Sequence, residues 1–245
     1  MNPIYVLWAT PRSTSTAFEW MMRMRGDMTC FHEPFGEAWY QGDDALWPRL
    51  NADSPRKPGL NYDGVLNDLL TAAKTKPVFS KDMPQFTDHL WSEEFLGRFE
   101  HSFLIRDPAK VLTSVNQNWQ EFTPREIGFV EQRQLFDKLC DTLGHAPPVI
   151  DSDDLLENPE GIVAAYCTAI GVEFIPDALS WEPGERSEVL WYDREGVWHR
   201  NLKNSTGLKA QPRKEVDIRS APDWLQAMYD SFLPHYQQLH QHRIA

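Results

Sequence analysis

The chain has 245 residues, 41% of them hydrophobic, which predicts one domain, residues 1–245, with a sizeable buried core. Its 36 acidic and 24 basic side chains give a net charge of -12. This acidity argues against nucleic acid and anionic membrane as partners, because their binding surfaces are basic. An anionic ligand must therefore be held by local groups rather than by the overall field of the protein.

The cysteines and the N-terminal sequence indicate the cellular compartment. Cys30, Cys140 and Cys167 are few, odd in number and far apart, which predicts reduced thiols rather than a disulfide framework or a zinc site. The first apolar run stops at Pro11-Arg12 and is therefore interpreted as a strand, not a signal peptide. No run approaches the ~20 apolar residues of a membrane-spanning helix. We expect a soluble, cytoplasmic protein with no bound metal.

Short apolar runs alternate with segments of helical periodicity along the chain. Strands are predicted at residues 4–9, 28–32, 77–80, 101–105 and 148–151. Helices are predicted at residues 15–25, 62–74, 93–99, 110–118, 124–143, 159–170 and 221–242, the last interrupted near Pro234. The alternation predicts an α/β fold with a mostly parallel central sheet flanked by helices.

Two long segments lack regular periodicity. Residues 37–61 are rich in proline, glycine and aspartate, and residues 181–219 are polar and irregular. Connections of this length are uncommon without a function, so both are predicted to be lid or substrate segments.

Charged side chains recur where predicted strands end. Arg12, Glu33, Lys81 and Arg106 each lie at such a position. Because ligands of parallel α/β sheets bind at the carboxyl ends of the strands, we expect these four side chains to surround one site.

The turn after the first strand suits an anion. It offers Arg12, several hydroxyls and the unpaired N–H groups of a helix start, which together favour phosphate. An ordinary strand–helix connection with a serine cap is the alternative. Further along, Arg106 and Ser114 can jointly hold a second phosphate. The alternative there is an Arg106–Asp107 ion pair with Ser114 facing solvent.

Three stretches together resemble one known family. Pro11-Arg12-Ser13-Thr14-Ser15-Thr16 is similar to the 5′-phosphosulfate loop of sulfotransferases that use 3′-phosphoadenosine 5′-phosphosulfate (PAPS). Arg106 and Ser114 resemble the family's 3′-phosphate site, and residues 153–159 resemble the stretch that follows its fifth strand. The likeness covers residues 3–171. It implies a P-loop NTPase-like sulfotransferase architecture, PAPS as donor without a metal, and a small-molecule hydroxyl or amine as acceptor.

The sequence departs from the family pattern in two places. Thr14 replaces the usual glycine of the loop, and threonine is costly if that position needs a positive φ. Two alternatives follow: the turn is reshaped, or the Thr14 hydroxyl adds a contact to the phosphate. The family's C-terminal Arg-Lys-Gly signature has a counterpart only at residues 194–196 or within residues 203–207.

The resemblance assigns roles at the 5′ end of the donor. The donor-binding residues are predicted to be Arg12, Ser13, Thr14, Ser15 and Thr16, together with the 3′-phosphate pair named above. Because sulfuryl transfer places negative charge on the leaving phosphate, a cation in the loop stabilises the transition state.

Three further residues are predicted to take part in the chemistry. Lys81 can contact the sulfuryl group, with an exposed Lys81–Asp82 ion pair as the alternative. The acceptor also needs a base, and His32 and Glu33 are the candidates. We favour Glu33, for which a role as helix cap or ion-pair partner is the alternative.

Two other functions stay open at the level of sequence. One is an ATP-dependent phosphotransferase with a degenerate P-loop, although the Walker pattern is absent. The other is a nucleotide-binding module without catalysis, for which Thr14 is the suggestive change. The identity of the acceptor and the oligomeric state cannot be read from the sequence, and a homodimer stays an open alternative.

Overall fold

The computed structural model describes residues 1–119, 121–184, 187–189 and 200–244. A five-stranded sheet lies at the centre, in the order β2-β3-β1-β4-β5, and every pairing in it is parallel. The strands are Ile4–Ala9 (β1), Thr29–His32 (β2), Val78–Asp82 (β3), Glu100–Ile105 (β4) and Val149–Asp151 (β5). The predicted parallel α/β sheet is confirmed.

Helices surround the sheet. Within the described residues they are Ser15–Met24 (α1), Pro34–Gln41 (α2), Tyr62–Ala72 (α3), Glu93–Leu96 (α4), Pro108–Asn118 (α5), Pro124–Ile127 (α6), Phe129–Leu143 (α7), Ser152–Glu157 (α8), Pro159–Ala169 (α9), Arg200–Asn204 (α10) and Asp223–His240 (α11). None of these helices is both long enough and apolar enough to cross a membrane.

The central strand β1 is buried on both faces, which explains its unbroken apolar sequence. Alternate side chains enter two separate cores. One core, shared with α2, α3, α4 and α7, receives Ile4, Val6 and Trp8. The other, shared with α1 and α9, receives Tyr5, Leu7 and Ala9. The loop that follows β1 is therefore anchored from both sides.

The prediction of an irregular segment from residue 37 is wrong at its start, because α2 extends to Gln41. The helix begins at Pro34, and the buried carboxylate of Asp82 accepts hydrogen bonds from the N–H groups of Phe35 (3.0 Å) and Gly36 (3.2 Å). Asp82 satisfies orphan donors of the first turn although it lies 47 residues away from Phe35. Local sequence carries no trace of this cap.

Other helix boundaries also differ from the prediction. The predicted helix at 124–143 is two helices, because Gly128 has φ 78° and a side chain there would overlap Gln85. The predicted interruption of the last helix is wrong, since α11 continues through Pro234, with Phe232 and Leu239 buried on either side of it. Packing outweighs the hydrogen bond that proline removes. The short helix α8 was not predicted.

His101 is a structural residue inside the sheet. The Trp8 indole Nε1–H donates to its Nδ1 (2.9 Å), and its Nε2–H donates to the Leu96 carbonyl (3.0 Å). Both ring nitrogens are thus used by a neutral imidazole, and burial lowers the pKa of His101 to about 4.

We expect this histidine to make stability depend on pH. At pH values between about 4 and 6.5, the unfolded chain protonates this histidine and the folded protein does not. The free energy of unfolding therefore falls as the pH falls through this range. Urea unfolding at about pH 7.5 and about pH 5 should show a smaller loss for His101→Gln than for the wild type. Equal losses in the two proteins would refute this role.

Candidate functional site

Backbone strain is concentrated at one cleft. Among the described residues other than glycine, only Arg12, Thr14 and Glu33 have positive φ, at 59°, 71° and 46°. All three line the cleft at the carboxyl ends of β1, β2 and β3. Strained backbone of this kind persists where the surrounding structure imposes it, typically at functional sites.

Thr14 adopts the conformation that glycine takes at no cost, with φ 71° and ψ 5°. The loop is therefore not reshaped to avoid a left-handed residue at this position. A non-glycine residue in this region costs about 1–2 kcal/mol. The Thr14 hydroxyl forms a hydrogen bond with the Ser152 hydroxyl (2.8 Å), and such a bond returns about 0.5–1.5 kcal/mol.

Two substitutions separate the strain from the hydrogen bond. Thr14→Gly relieves the strain but loses the bond and makes the unfolded chain more flexible, so its unfolding free energy should lie within about 1 kcal/mol of wild type. Thr14→Val keeps the strain and leaves the buried Ser152 hydroxyl without this partner, which should cost about 1–3 kcal/mol. Chemical denaturation measures both. A glycine variant less stable than the valine variant would contradict the account.

The loop from residue 12 to residue 16 presents backbone donors to the cleft. As at any helix start, the first N–H groups of α1 have no intrahelical acceptor, and in the described residues the N–H groups of Thr14, Ser15 and Thr16 bond to no other protein atom. The Ser13 hydroxyl does not face the cleft. It is fully buried and donates to the Thr10 carbonyl (2.6 Å), so this side chain shapes the turn.

Arg106 and Ser114 both contact Arg12. An Arg106 guanidinium N–H donates to the Arg12 carbonyl (2.6 Å), and the Arg12 Nε–H donates to the Ser114 hydroxyl (2.9 Å). Burial lowers the pKa of Arg106, and its Nε finds no acceptor in the described part of the chain. The alternative Arg106–Asp107 pair is not formed, because the Asp107 carboxylate accepts from the Ala109 N–H (2.7 Å) and caps α5. The two predicted anion sites are therefore joined.

A buried ion pair forms the floor of the cleft on the side of β2 and β3. Lys81 and Glu33 are only 1% and 2% exposed, and the Lys81 ammonium contacts the Glu33 carboxylate. The pairing of β2 with β3 sets this contact, since the Glu33 N–H donates to the Lys81 carbonyl (2.7 Å). An exposed pair between Lys81 and Asp82 is therefore ruled out. His32 is buried beside Glu33 but does not line the cleft.

The cleft has a volume of about 370 Å³ and is strongly cationic for a chain of net charge -12. Among the described residues, two carboxylates, Glu33 and Asp153, line it. The cationic residues that line it are Arg12, Lys81, Arg106, Lys110, Lys209, Arg213 and Lys214. Because the protein as a whole is acidic, an anionic ligand must be held by local positive charges, and the excess of cations in the cleft supplies them.

Sequence reasoning missed the C-terminal wall. Lys209, Arg213 and Lys214 line the cleft, and Arg213 is held by Asp154 (2.7 Å) and Glu157 (3.3 Å) on α8. Three cations within six residues of an acidic chain were the available signal. Of the two candidate counterparts of the C-terminal signature, residues 203–207 contribute Ser205 and Gly207 to the wall, and residues 194–196 lie outside the described chain.

Of the two irregular segments predicted to be lid or substrate segments, only one reaches the cleft in the part of the chain that the structure describes. No residue of 37–61 lines this cleft, and the Trp47 and Arg49 side chains instead bond to the buried Glu126 carboxylate (2.7 and 3.0 Å). The role of residues 37–61 as a lid or substrate segment stays a prediction. The described part of 181–219 does reach the cleft, from Leu202 onward.

A family model and two solved structures match this chain. A family model described as "Sulfotransferase domain" matches residues 4–242. The sulfotransferase domain of the Synechococcus PCC 7002 olefin synthase has a similar fold, with a TM-score of 0.54, 14% identity, and 95% of each chain covered. A sulfotransferase domain from the curacin biosynthetic pathway gives a TM-score of 0.50 and 15% identity over 95% of this chain and 97% of that one.

Two Arabidopsis thaliana proteins are similar in sequence. Branched-chain-amino-acid aminotransferase-like protein 2 is 26% identical over 84% of this chain, and protein 1 is 26% identical over 96%. The chain spans only 36% and 41% of their lengths.

The family match runs from β1 to beyond α11 and so takes in every strand end that builds the cationic cleft. With the parallel sheet and the solved sulfotransferase domains agreeing in fold, the chain belongs to the sulfotransferase domain family.

Proposed function

We propose that this protein transfers a sulfuryl group from PAPS to a hydroxyl or amine of a small-molecule acceptor. The observation that carries the proposal is the contact between two anion sites in one cleft, made where Arg106 donates to the carbonyl of Arg12. A nucleotide with phosphates at both its 5′ and 3′ positions is the ligand that suits two such sites.

The residues fit this donor. The N–H groups of residues 14–16 would hold the 5′-phosphosulfate, and Arg106 with Ser114 would hold the 3′-phosphate. The buried Arg106 Nε, which lacks an acceptor among the described residues, is a donor awaiting an oxyanion. A cleft of about 370 Å³ falls within the usual range for ligand sites, about 300–1,000 Å³.

Bound PAPS would supply an activated S–O bond, which breaks to leave 3′-phosphoadenosine 5′-phosphate (PAP) as an S–O or S–N bond to the acceptor forms. Arg12 and the loop N–H groups would stabilise the charge that develops on the leaving phosphate. Lys81 would turn from Glu33 toward the transferring group. Glu33 would take the proton of the acceptor, and it is favoured over His32 because it lines the cleft.

The experiment is transfer of radiolabelled sulfur from PAPS to a panel of hydroxyl and amine acceptors, in the presence of a chelator. We expect one labelled product per PAP formed, with no loss of rate when divalent metal is removed. Transfer of phosphate from ATP that requires Mg²⁺ would replace the proposal with the phosphotransferase. Tight PAP binding without transfer to any acceptor would favour the inactive module.

A further inference from the structure

A second carboxylate lies behind Glu33, inside the protein. Glu19 on α1 is 0% exposed and is not among the residues that line the cleft. Its carboxylate accepts from Arg23 (2.7 and 2.9 Å) and from the Nδ1–H of His32 (2.5 Å). Burial disfavours the ionised form, but His32, Arg23 and Lys81 together outweigh it and lower the pKa of Glu19.

His32 connects this carboxylate to the cleft. Its Nδ1 faces Glu19, and its Nε2 lies 4.0 Å from the Glu33 carboxylate. A row of charged and polar side chains thus runs from the outer face of α1 to the cleft, in the order Arg23, Glu19, His32, Glu33 and Lys81. Buried charges of this kind are weak contributors to stability, because desolvation opposes them. The arrangement is better explained by chemistry than by folding.

We propose that Glu19 is a positioning residue for proton removal, acting through His32. It fixes the imidazole with Nδ1 protonated and Nε2 directed at Glu33. Once Lys81 has turned to the transferring group, the protonated Glu33 carboxyl can close the 4.0 Å gap to His32 Nε2. Its O–H bond then breaks as an N–H bond forms at Nε2, and the Glu19 carboxylate stabilises the resulting imidazolium. Glu33 regains its charge and can pair again with Lys81. This inference rests on the proposed sulfuryl transfer.

The variant that tests it is Glu19→Gln, which keeps the size of the side chain and removes its charge. We expect kcat to fall about 10- to 100-fold, part of what a positioned base contributes. The KM for PAPS and the Kd for PAP should remain within about twofold of wild type, because the donor sites are untouched. Glu131→Gln is the matched control, a mostly buried glutamate on α7 outside the cleft, and it should leave all three constants unchanged.

A second measurement does not depend on activity. Nitrogen-15 and proton NMR of histidine-labelled wild-type protein should show a protonated Nδ1 on His32, with a far-downfield proton resonance that is absent from Glu19→Gln. The signal is identified by through-bond correlation to the His32 backbone. An imidazole protonated only at Nε2 would overturn the proposal even if the variant fails to fold.

The outcomes separate this inference from the function on which it rests. If the wild type transfers sulfuryl groups and Glu19→Gln keeps its kcat, the role of Glu19 is wrong and the function stands. A parallel fall in kcat, PAP affinity and unfolding free energy would mean a merely structural role and would also overturn it. If the wild type neither binds PAP nor transfers, the proposed function fails first.

Discussion

Glu33→Gln should reduce turnover about 100- to 10,000-fold, the contribution of a positioned general base. The glutamine amide fills the same space beside Lys81 but cannot take the proton of the acceptor. PAP affinity should stay close to the wild-type value, because the loop and Arg106 hold the nucleotide. The measurement is kcat under saturating PAPS, together with the Kd for PAP.

The same substitution should destabilise the protein, and this supplies its control. It leaves the Lys81 ammonium buried without its carboxylate, and breaking one side of such a pair costs about 3–5 kcal/mol. Adding Lys81→Met removes the second charge and should restore most of that stability without restoring activity. Activity that recovers with stability in the double variant would show that neither Glu33 nor Lys81 takes part in the chemistry and that their ion pair serves folding.

Arg106→Ala should weaken PAP binding by about 2–4 kcal/mol, which is roughly a 30- to 1,000-fold increase in Kd. The substitution removes a buried guanidinium from the proposed 3′-phosphate site. It also removes the donor that holds the Arg12 carbonyl at 2.6 Å, and so loosens the 5′ loop. Isothermal titration with PAP measures the change.

The matched control is Arg133→Ala. That arginine lies on α7, is partly exposed and pairs only with the neighbouring Asp137 (2.6 Å) in the described structure, so PAP binding should not change. Arg106→Ala should also lose much less affinity for 5′-AMP than for PAP, because AMP has no 3′-phosphate. Equal losses for the two nucleotides would move the 3′-phosphate site away from Arg106.

The sequence predicts what local pattern and strand topology determine. Arg12, Glu33, Lys81 and Arg106 all line one cleft because they end or follow parallel strands, whose carboxyl ends share one edge of the sheet. The sequence also indicates that Thr14 is strained if its position needs a positive φ, and Thr14 does have a positive φ in the structure.

The rest depends on contacts between distant parts of the chain. Asp82 is the alternative partner of Lys81 in the sequence, but in the structure Asp82 caps α2 and Lys81 pairs with Glu33. Both contacts form because β2 and β3 lie next to each other in the sheet. The role of Glu19 left no sign in the sequence, because its position on the helix does not indicate a contact with His32, 13 residues later. The C-terminal wall escaped because its cations follow no fixed spacing.

The most direct test of the two-phosphate cleft is denaturant unfolding of the wild-type protein with nucleotides. PAP at a hundred times its Kd should raise the unfolding free energy by about 2.7 kcal/mol. The same concentration of ADP with Mg²⁺ should raise it far less, because ADP has no 3′-phosphate to contact Arg106. No stabilisation by millimolar PAP, or greater stabilisation by ADP with Mg²⁺, would contradict the assignment of PAPS as the donor.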